Sequence, residues 1–211
     1  MSSRRSAALL LVVLLVIGAV WALWPRAERR SPRAVAPPAG STVVFLGDSI
    51  TSGHRLPSKV AFPQRLGETL GVPVVNAGIS GDTTGGGLAR LDQDVLAHRP
   101  RLVVVELGVN DMFGRWPPER TIANLRTITQ RIRAQGADVI LVHISLPDAA
   151  GDGYRAQLRE IARTEGATLV EDFLDGVVPG RTYDGLHPDE QGQAALAERL
   201  LPVVRRALGR P

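Results

Sequence analysis

A serine hydroxyl, an imidazole and a carboxylate can together form a nucleophile, its base and the group that orients the base. In this 211-residue chain Ser49, His187 and Asp184 offer that set. Serine is a poor nucleophile until a neighbouring base takes its proton. His187 lies in "YDGLHPDE", three residues after Asp184, with Gly185 and Leu186 between them. A turn of that length brings the carboxylate to Nδ1 and leaves Nε2 free to face a serine. Ser49 lies in "STVVFLGDSITSG", where an apolar run breaks into Gly47, Asp48 and Ser49. Each motif alone has a plainer explanation: Gly-Asp-Ser is ordinary turn chemistry, and Asp-Gly followed by Pro188 is a turn entering a helix. Acyl transfer also requires donors aimed at a developing oxyanion. The candidates are the Ser49 N–H, the Gly81 N–H in "NAGISGDTTGGG" and the side-chain amide of Asn110 in "GVND". Singly, Gly81 reads as a loop glycine and Asn110 as a turn cap; only the full set points to acyl transfer.

These groups need elements that bring them together. Short apolar runs at 42–46, 72–75, 102–107, 139–144 and 168–170 read as strands. Between them the helical period recurs at Phe62, Leu66, Leu70; Leu88, Leu91, Val95; Ile122, Leu125, Ile128, Ile132; Leu158, Ile161; and Leu196, Leu200, Val204. Gly136 closes the third of these helices. The run "LVVVEL" is continuous rather than alternating, as in a parallel strand covered on both faces. Strict alternation of five strands and five helices predicts a three-layer, doubly wound α/β fold with right-handed crossovers. In such folds functional groups gather at the carboxyl ends of the strands. Ser49 follows the first strand, Gly81 the second, Asn110 the third, and Asp184 and His187 precede the last helix.

Other polar residues have quieter expected roles. Asp48 is read as structural, because adjacent residues on an extended exit point apart, and Asp111 as holding its loop. His54 is a candidate pocket-lining residue, while His98 ends a helix and His143 lies in a strand. No close metal-ligand spacing appears, so no metal is expected. Gly85 to Gly87 lack the pattern of a phosphate cradle, and no cofactor is expected. Met112, Phe113 and Trp116, just beyond Asn110, are candidates for an apolar wall that holds an acyl chain, and "SLPDAAGDGY" for the opposite wall.

Residues 1–24 read as a signal-anchor or signal peptide, 25–40 as a Pro/Arg-rich linker and 41–211 as the catalytic domain. Positions 7–24 are 18 uncharged residues, about 27 Å of helix, close to the thickness of a hydrocarbon core. The cleavage-like Ala34-Val35-Ala36 lies far downstream and precedes Pro37, which favours an uncleaved anchor. The arginine count on either side of the span would leave the domain in the cytoplasm, whereas the export-like start and the length of the domain favour translocation. The expected location is therefore the cell envelope, periplasmic or extracytoplasmic, with residues 7–24 in the inner membrane and the membrane as a partner. The formal charge of +4 comes from this end: residues 1–33 hold six arginines against Glu28 alone. The remainder is nearly neutral and shows no nucleic-acid footprint. Cysteine is absent, which excludes disulfides and a thiol nucleophile.

In order, Ser49, Gly81, Asn110 and His187, with Asp184 completing "DxxH", resemble the signature of the SGNH hydrolases, also called GDSL-type lipases and esterases. "GDTTGGGLARL" and "VVVELGVND" are similar to its bacterial branch of thioesterase, protease and lysophospholipase type. Ile50 stands where the name-giving motif has leucine, a volume-conserving change. The resemblance implies the family's flavodoxin-like fold and cofactor-free cleavage of acyl esters, thioesters or lysophospholipids through an acyl-enzyme on Ser49. A monomer is expected. Alternatives are a carbohydrate or peptidoglycan O-deacetylase of the same fold, a non-catalytic envelope binding module, and a nucleotide-binding flavodoxin-like protein.

Overall fold

Successive residues of a strand point to opposite faces of its sheet, and here both faces are apolar. The computed structural model describes residues 40–145 and 151–210. In chain order the elements are β1 (Val43–Gly47), α1 (Ser49–Ser52), α2 (Phe62–Leu70), β2 (Val74–Gly78), α3 (Thr84–Ala89), α4 (Leu91–Asp94), β3 (Leu102–Glu106), α5 (Val109–Phe113), α6 (Pro118–Ala134), β4 (Asp138–Val142), α7 (Gly151–Glu165), β5 (Thr168–Val170) and α8 (Glu190–Ala207). Single 3₁₀ turns cover Ser58–Val60 and Leu96–His98. The five strands are all parallel in the order β2-β1-β3-β4-β5, the doubly wound arrangement expected.

On one face Val43, Phe45, Leu102, Val104, Ile140 and Val142 pack with Phe62, Leu66 and Leu70 of α2 and Leu196, Leu200 and Val204 of α8. On the other, Val44, Leu46, Val103, Val105, Val139 and Leu141 pack with Ile122, Leu125, Ile128 and Ile132 of α6 and Leu158 and Ile161 of α7. The two sets alternate along each strand, so a slip of one residue would exchange the layers. Phe62 is fully buried and meets Phe45 and Phe173 edge-on at 5.6 and 5.5 Å between ring centroids, a favourable aromatic geometry.

Two local differences from the sequence reading have physical causes. The helix expected around Leu88, Leu91 and Val95 is broken into α3, α4 and the turn at Leu96–His98. Gly85, Gly86 and Gly87 are poor helix formers, and Arg90 between the pieces is tied to Asp82, Asp94 and the carbonyl of Gly47. β2 starts later than expected and continues through Asn76 to Gly78. The Asn76 amide donates to the carbonyl of Thr51 and to Gln64 Oε1, and its Oδ1 accepts from the Gly78 N–H. A residue that usually makes turns is thus satisfied inside the strand. Gly136, at φ 84°, ends α6 as expected.

The expectation of a membrane-spanning signal-anchor is corrected. Among the described residues no helix is long and apolar enough to cross a membrane. The longest, α8, carries Glu190, Glu198, Arg199, Arg205 and Arg206. Residues 7–24, on which the expectation rested, lie outside the described residues. The membrane as a partner and an anchored location in the cell envelope are withdrawn with it.

The sheet edge bearing the site depends on close backbone contact between β2 and α1. A Cβ at Gly78 would lie 2.4 Å from the Ser52 nitrogen and 2.8 Å from its Cα, backbone atoms that cannot move aside. Gly78→Ala should therefore destabilise the protein by about 1–3 kcal/mol in urea unfolding. Gly180→Ala, where an added Cβ meets nothing within 4 Å, should leave the midpoint unchanged.

Candidate active site

At the carboxyl end of β1 the chain turns at once into α1. Gly47 makes this possible: a Cβ there would sit 2.1 Å from Thr51 Oγ1. Asp48 caps the turn, its Oδ1 accepting the Ile50 N–H at 2.9 Å. Ser49 is the first helical residue, and its hydroxyl is carried off the end of the sheet.

His187 reaches the same place from the far end of the chain. Asp189 caps α8, accepting the Gly192 N–H at 2.8 Å. Just before it, Thr182 and Pro188 form an antiparallel bridge, and Gly185 at φ 86° lets the intervening loop turn back. Within that loop Asp184 Oδ1 accepts the N–H groups of Leu186 at 3.1 Å and His187 at 2.7 Å. Its Oδ2 meets His187 Nδ1 at 2.6 Å. On the other side of the ring, Nε2 is 3.0 Å from Ser49 Oγ. The His187 N–H and ring hold the Asp184 carboxyl down at about 2. It is therefore ionised at neutral pH and can only accept, so Nδ1 carries a ring proton, and in the neutral ring Nε2 is the acceptor for the serine hydroxyl.

The imidazole has two ring neighbours, both from earlier in the chain. Tyr183 stacks on it at 5.9 Å and 10°, and His54 lies 4.8 Å away. The Tyr183 hydroxyl donates to the His54 carbonyl at 2.8 Å, and His54 Nδ1 is 3.0 Å from Ser80 Oγ. His54, read as pocket lining, thus borders the histidine itself.

Of the expected oxyanion donors, Asn110 is tied to the serine turn through Asp48, and Gly81 lies in the loop after β2. Gly81 has φ 79°, and an added Cβ would meet nothing within 4 Å. Asn110 Nδ2 donates to Asp48 Oδ2 at 3.0 Å and to the Asp82 carbonyl at 2.8 Å. A flipped amide would aim its oxygen at two acceptors, so both N–H bonds of Asn110 are engaged in the resting site. Asp82 is fixed in turn by Arg90, at 2.7 Å with both side chains largely buried. Asp111 holds its loop as expected, accepting from the Thr84 N–H at 2.8 Å, the Thr84 hydroxyl at 2.5 Å and the Thr121 hydroxyl at 3.2 Å.

The three candidate wall residues separate. Met112 packs against the cores on both faces of the sheet. The Trp116 ring carries the Arg120 guanidinium at 4.3 Å. Phe113 is 56% exposed. Part of the opposite wall, residues 146–150, lies outside the described residues. His98 ends its 3₁₀ turn; His143 lies one residue beyond β4 and is buried, with Nδ1 3.6 Å from Asp172 Oδ1. Among the described residues no group of three or more His, Asp or Glu side chains gathers as a metal site would. A cavity of about 730 Å³ at the end of α8, lined by Leu201, Pro202, Arg205, Arg206, Gly209 and Arg210, shares no residue with the site.

Sequence reasoning missed Tyr183, Ser80, Thr51 and Glu106. Only Glu106 left a signal, as a carboxylate closing the otherwise apolar "LVVVE". The arrangement as a whole is a hydroxyl, an acceptor nitrogen and an ionised carboxylate in line, with N–H donors nearby, which is what nucleophilic acyl transfer requires.

Comparison with known proteins agrees with this chemistry. Residues 45–195 match the GDSL-like lipase/acylhydrolase family. The chain is 35% identical over 177 residues to an arylesterase of Vibrio mimicus, covering 78% of this chain and 88% of that protein. It is 35% identical over 179 residues to thioesterase 1/protease 1/lysophospholipase L1 of Escherichia coli K12, covering 79% and 86%. Among solved structures, that of TesA superposes with a TM-score of 0.72 at 36% identity, covering 79% of this chain and 99% of that one. The chain belongs to the GDSL-like lipase/acylhydrolase family, the SGNH hydrolases, and is a carboxylic ester hydrolase of the serine type.

Proposed function

We propose that residues 41–211 form the catalytic unit and that Ser49 is its nucleophile, His187 its general base and acid, and Asp184 the orienting carboxylate. The observation that carries this reading is the Oγ–Nε2 contact of 3.0 Å backed by the Nδ1–Oδ2 contact of 2.6 Å. Ser49 Oγ attacks the acyl carbonyl while its proton passes to Nε2, and Asp184 stabilises the imidazolium that forms. The N–H groups of Ser49 and Gly81 receive the oxyanion. Asn110 joins them by exchanging one of its two resting acceptors for the oxyanion. His187 then returns the proton to the leaving group, and water attacks the acyl-enzyme by the same route.

The substrates are acyl esters and thioesters. The names of the relatives, an arylesterase and a thioesterase/lysophospholipase, support this range, and exposed Phe113 three residues beyond Asn110 offers apolar surface to an acyl chain. A series of p-nitrophenyl esters and acyl thioesters of increasing length should show cleavage improving beyond acetate. A strict preference for acetate would instead favour an O-deacetylase.

Ser49→Ala should lower ester hydrolysis by at least about 10³-fold with an unchanged circular dichroism spectrum; undiminished turnover would refute the assignment. The Asp184 carboxyl should titrate at about 2 by carbon NMR. In His187→Ala the backbone N–H bonds to Asp184 remain and the ring is lost. The titration should then rise only part of the way toward 3.8. An unmoved titration would show that the ring does not face the carboxylate.

A further inference from the structure

Glu106 ends β3 in the register position beside Gly47, one residue before Asp48, and both carboxyls are buried to within 1% of their surface. The Thr51 hydroxyl donates to Glu106 Oε2 at 2.7 Å. Oε1 is buried and makes no hydrogen bond of ordinary geometry, and the Asp48 N–H is the one other donor beside the carboxyl. Asp48 is the opposite case: Oδ1 takes the Ile50 N–H, and Oδ2 takes the Asn110 amide. The two side chains are hydrogen-bond neighbours, and two buried carboxyls in contact do not both ionise. The charge belongs on Asp48, both of whose oxygens take an N–H donor, and the proton on Glu106, whose unpartnered oxygen becomes a donor.

We infer that Glu106 is a positioning residue: as a neutral acid it donates through Oε1 to the Asp48 carboxylate, which in turn holds the Asn110 amide and the turn presenting Ser49. The inference rests on the catalytic reading of Ser49 and Asn110. Burial, and then the charge of Asp48, push the Glu106 carboxyl well above its ordinary value. Burial raises Asp48 to about 6, so it is still ionised at neutral pH. The other charged or titratable groups facing the pair are Asp82 with its partner Arg90 on the β2 side, His187 across the serine turn, and Tyr154 on the α7 side, with Asp111 beside that tyrosine. Arg90 is already paired with Asp82 and Asp94. Loss of the Glu106 proton on the alkaline side therefore places a second negative charge behind the oxyanion site, and turnover falls. Between that point and about 6, where Asp48 takes up its own proton, the arrangement is intact.

Infrared spectra and rate profiles of the full chain test this. The wild type at neutral pH should show the C=O stretch of a protonated carboxylic acid, and Glu106→Gln should lose it. The glutamine amide can still donate to Asp48 and accept from Thr51, so Glu106→Gln should retain kcat within a few-fold and should lose the alkaline fall in kcat. Glu106→Ala should lower kcat about 10- to 100-fold with little change in KM. If Glu106→Ala does not fold, the infrared band and the glutamine profile decide the matter. Absence of the acid band in the wild type, its persistence in Glu106→Gln, or an unchanged alkaline fall in that variant would overturn the inference. A fluorophosphonate probe separates the two levels. Labelling of Ser49 without an acid band overturns the role of Glu106 alone, whereas failure of the wild type to be labelled at Ser49 overturns the catalytic reading and this inference with it.

Discussion

The contact between Ser49 Oγ and His187 Nε2 joins residues 138 positions apart in the chain, and the rest of the architecture can be understood as what holds it. One partner is fixed by the parallel sheet, because Gly47, Asp48 and Ser49 leave β1 at the edge where the carboxyl ends of all five strands emerge. The other is fixed by α8, whose N-terminal cap at Asp189 lies two residues beyond the histidine. Packing α8 onto the α2 side of the sheet thus also sets the distance between base and nucleophile. Gln193 makes the link direct: its Oε1 accepts the Phe62 N–H at 2.8 Å, and its Nε2 donates to the Ile50 carbonyl at 3.1 Å, next to Ser49. A buried amide on the helix that carries the base therefore grips the turn that carries the serine.

The strand order explains why this edge is the reactive one. In an order of β2-β1-β3-β4-β5 the chain moves outward from β1 in both directions, and the loops after β1 and β3 diverge to open a crevice between them. Ser49 follows β1 and Asn110 follows β3. The site also divides its carboxylates by environment. Asp184 is exposed to solvent and bonded by several N–H donors, which hold it ionised. Asp48 and Glu106 are buried in contact, which forces a shared proton. The same chemical group serves as a lone orienting anion in one place and as half of a singly charged acid–carboxylate clamp in the other, a separation of roles seen wherever burial and donors differ.

Much of this was legible in the sequence because it depends on short-range rules. Continuous apolar runs marked parallel strands covered on both sides, the recurrence of Ile122, Leu125, Ile128 and Ile132 marked α6, and Asp184, Gly185 and His187 marked a turn able to bring a carboxylate to an imidazole. What could not be read depends on three-dimensional neighbours. Glu106 pairs with Asp48 only because β1 and β3 are adjacent in register, and Tyr183 meets His54 only because α8 brings its loop to the β1 edge. The broken helix at Arg90 reflects an anchoring by Asp82 and the Gly47 carbonyl that periodicity cannot encode. The packing of Met112, half-buried against the cores on both faces of the sheet, is likewise a three-dimensional matter that its position beyond Asn110 did not reveal.

Catalysis by this site requires that Nε2 of His187 accept the Ser49 hydroxyl while Nδ1 is held by Asp184. Nitrogen-15 NMR of the histidine rings at neutral pH measures this directly. His187 should carry its proton on Nδ1, with a hydrogen-bonded Nε2 whose resonance moves in Ser49→Ala while that of Nδ1 stays in place. A ring with its proton on Nε2, or an Nε2 resonance indifferent to the loss of the Ser49 hydroxyl, would contradict it.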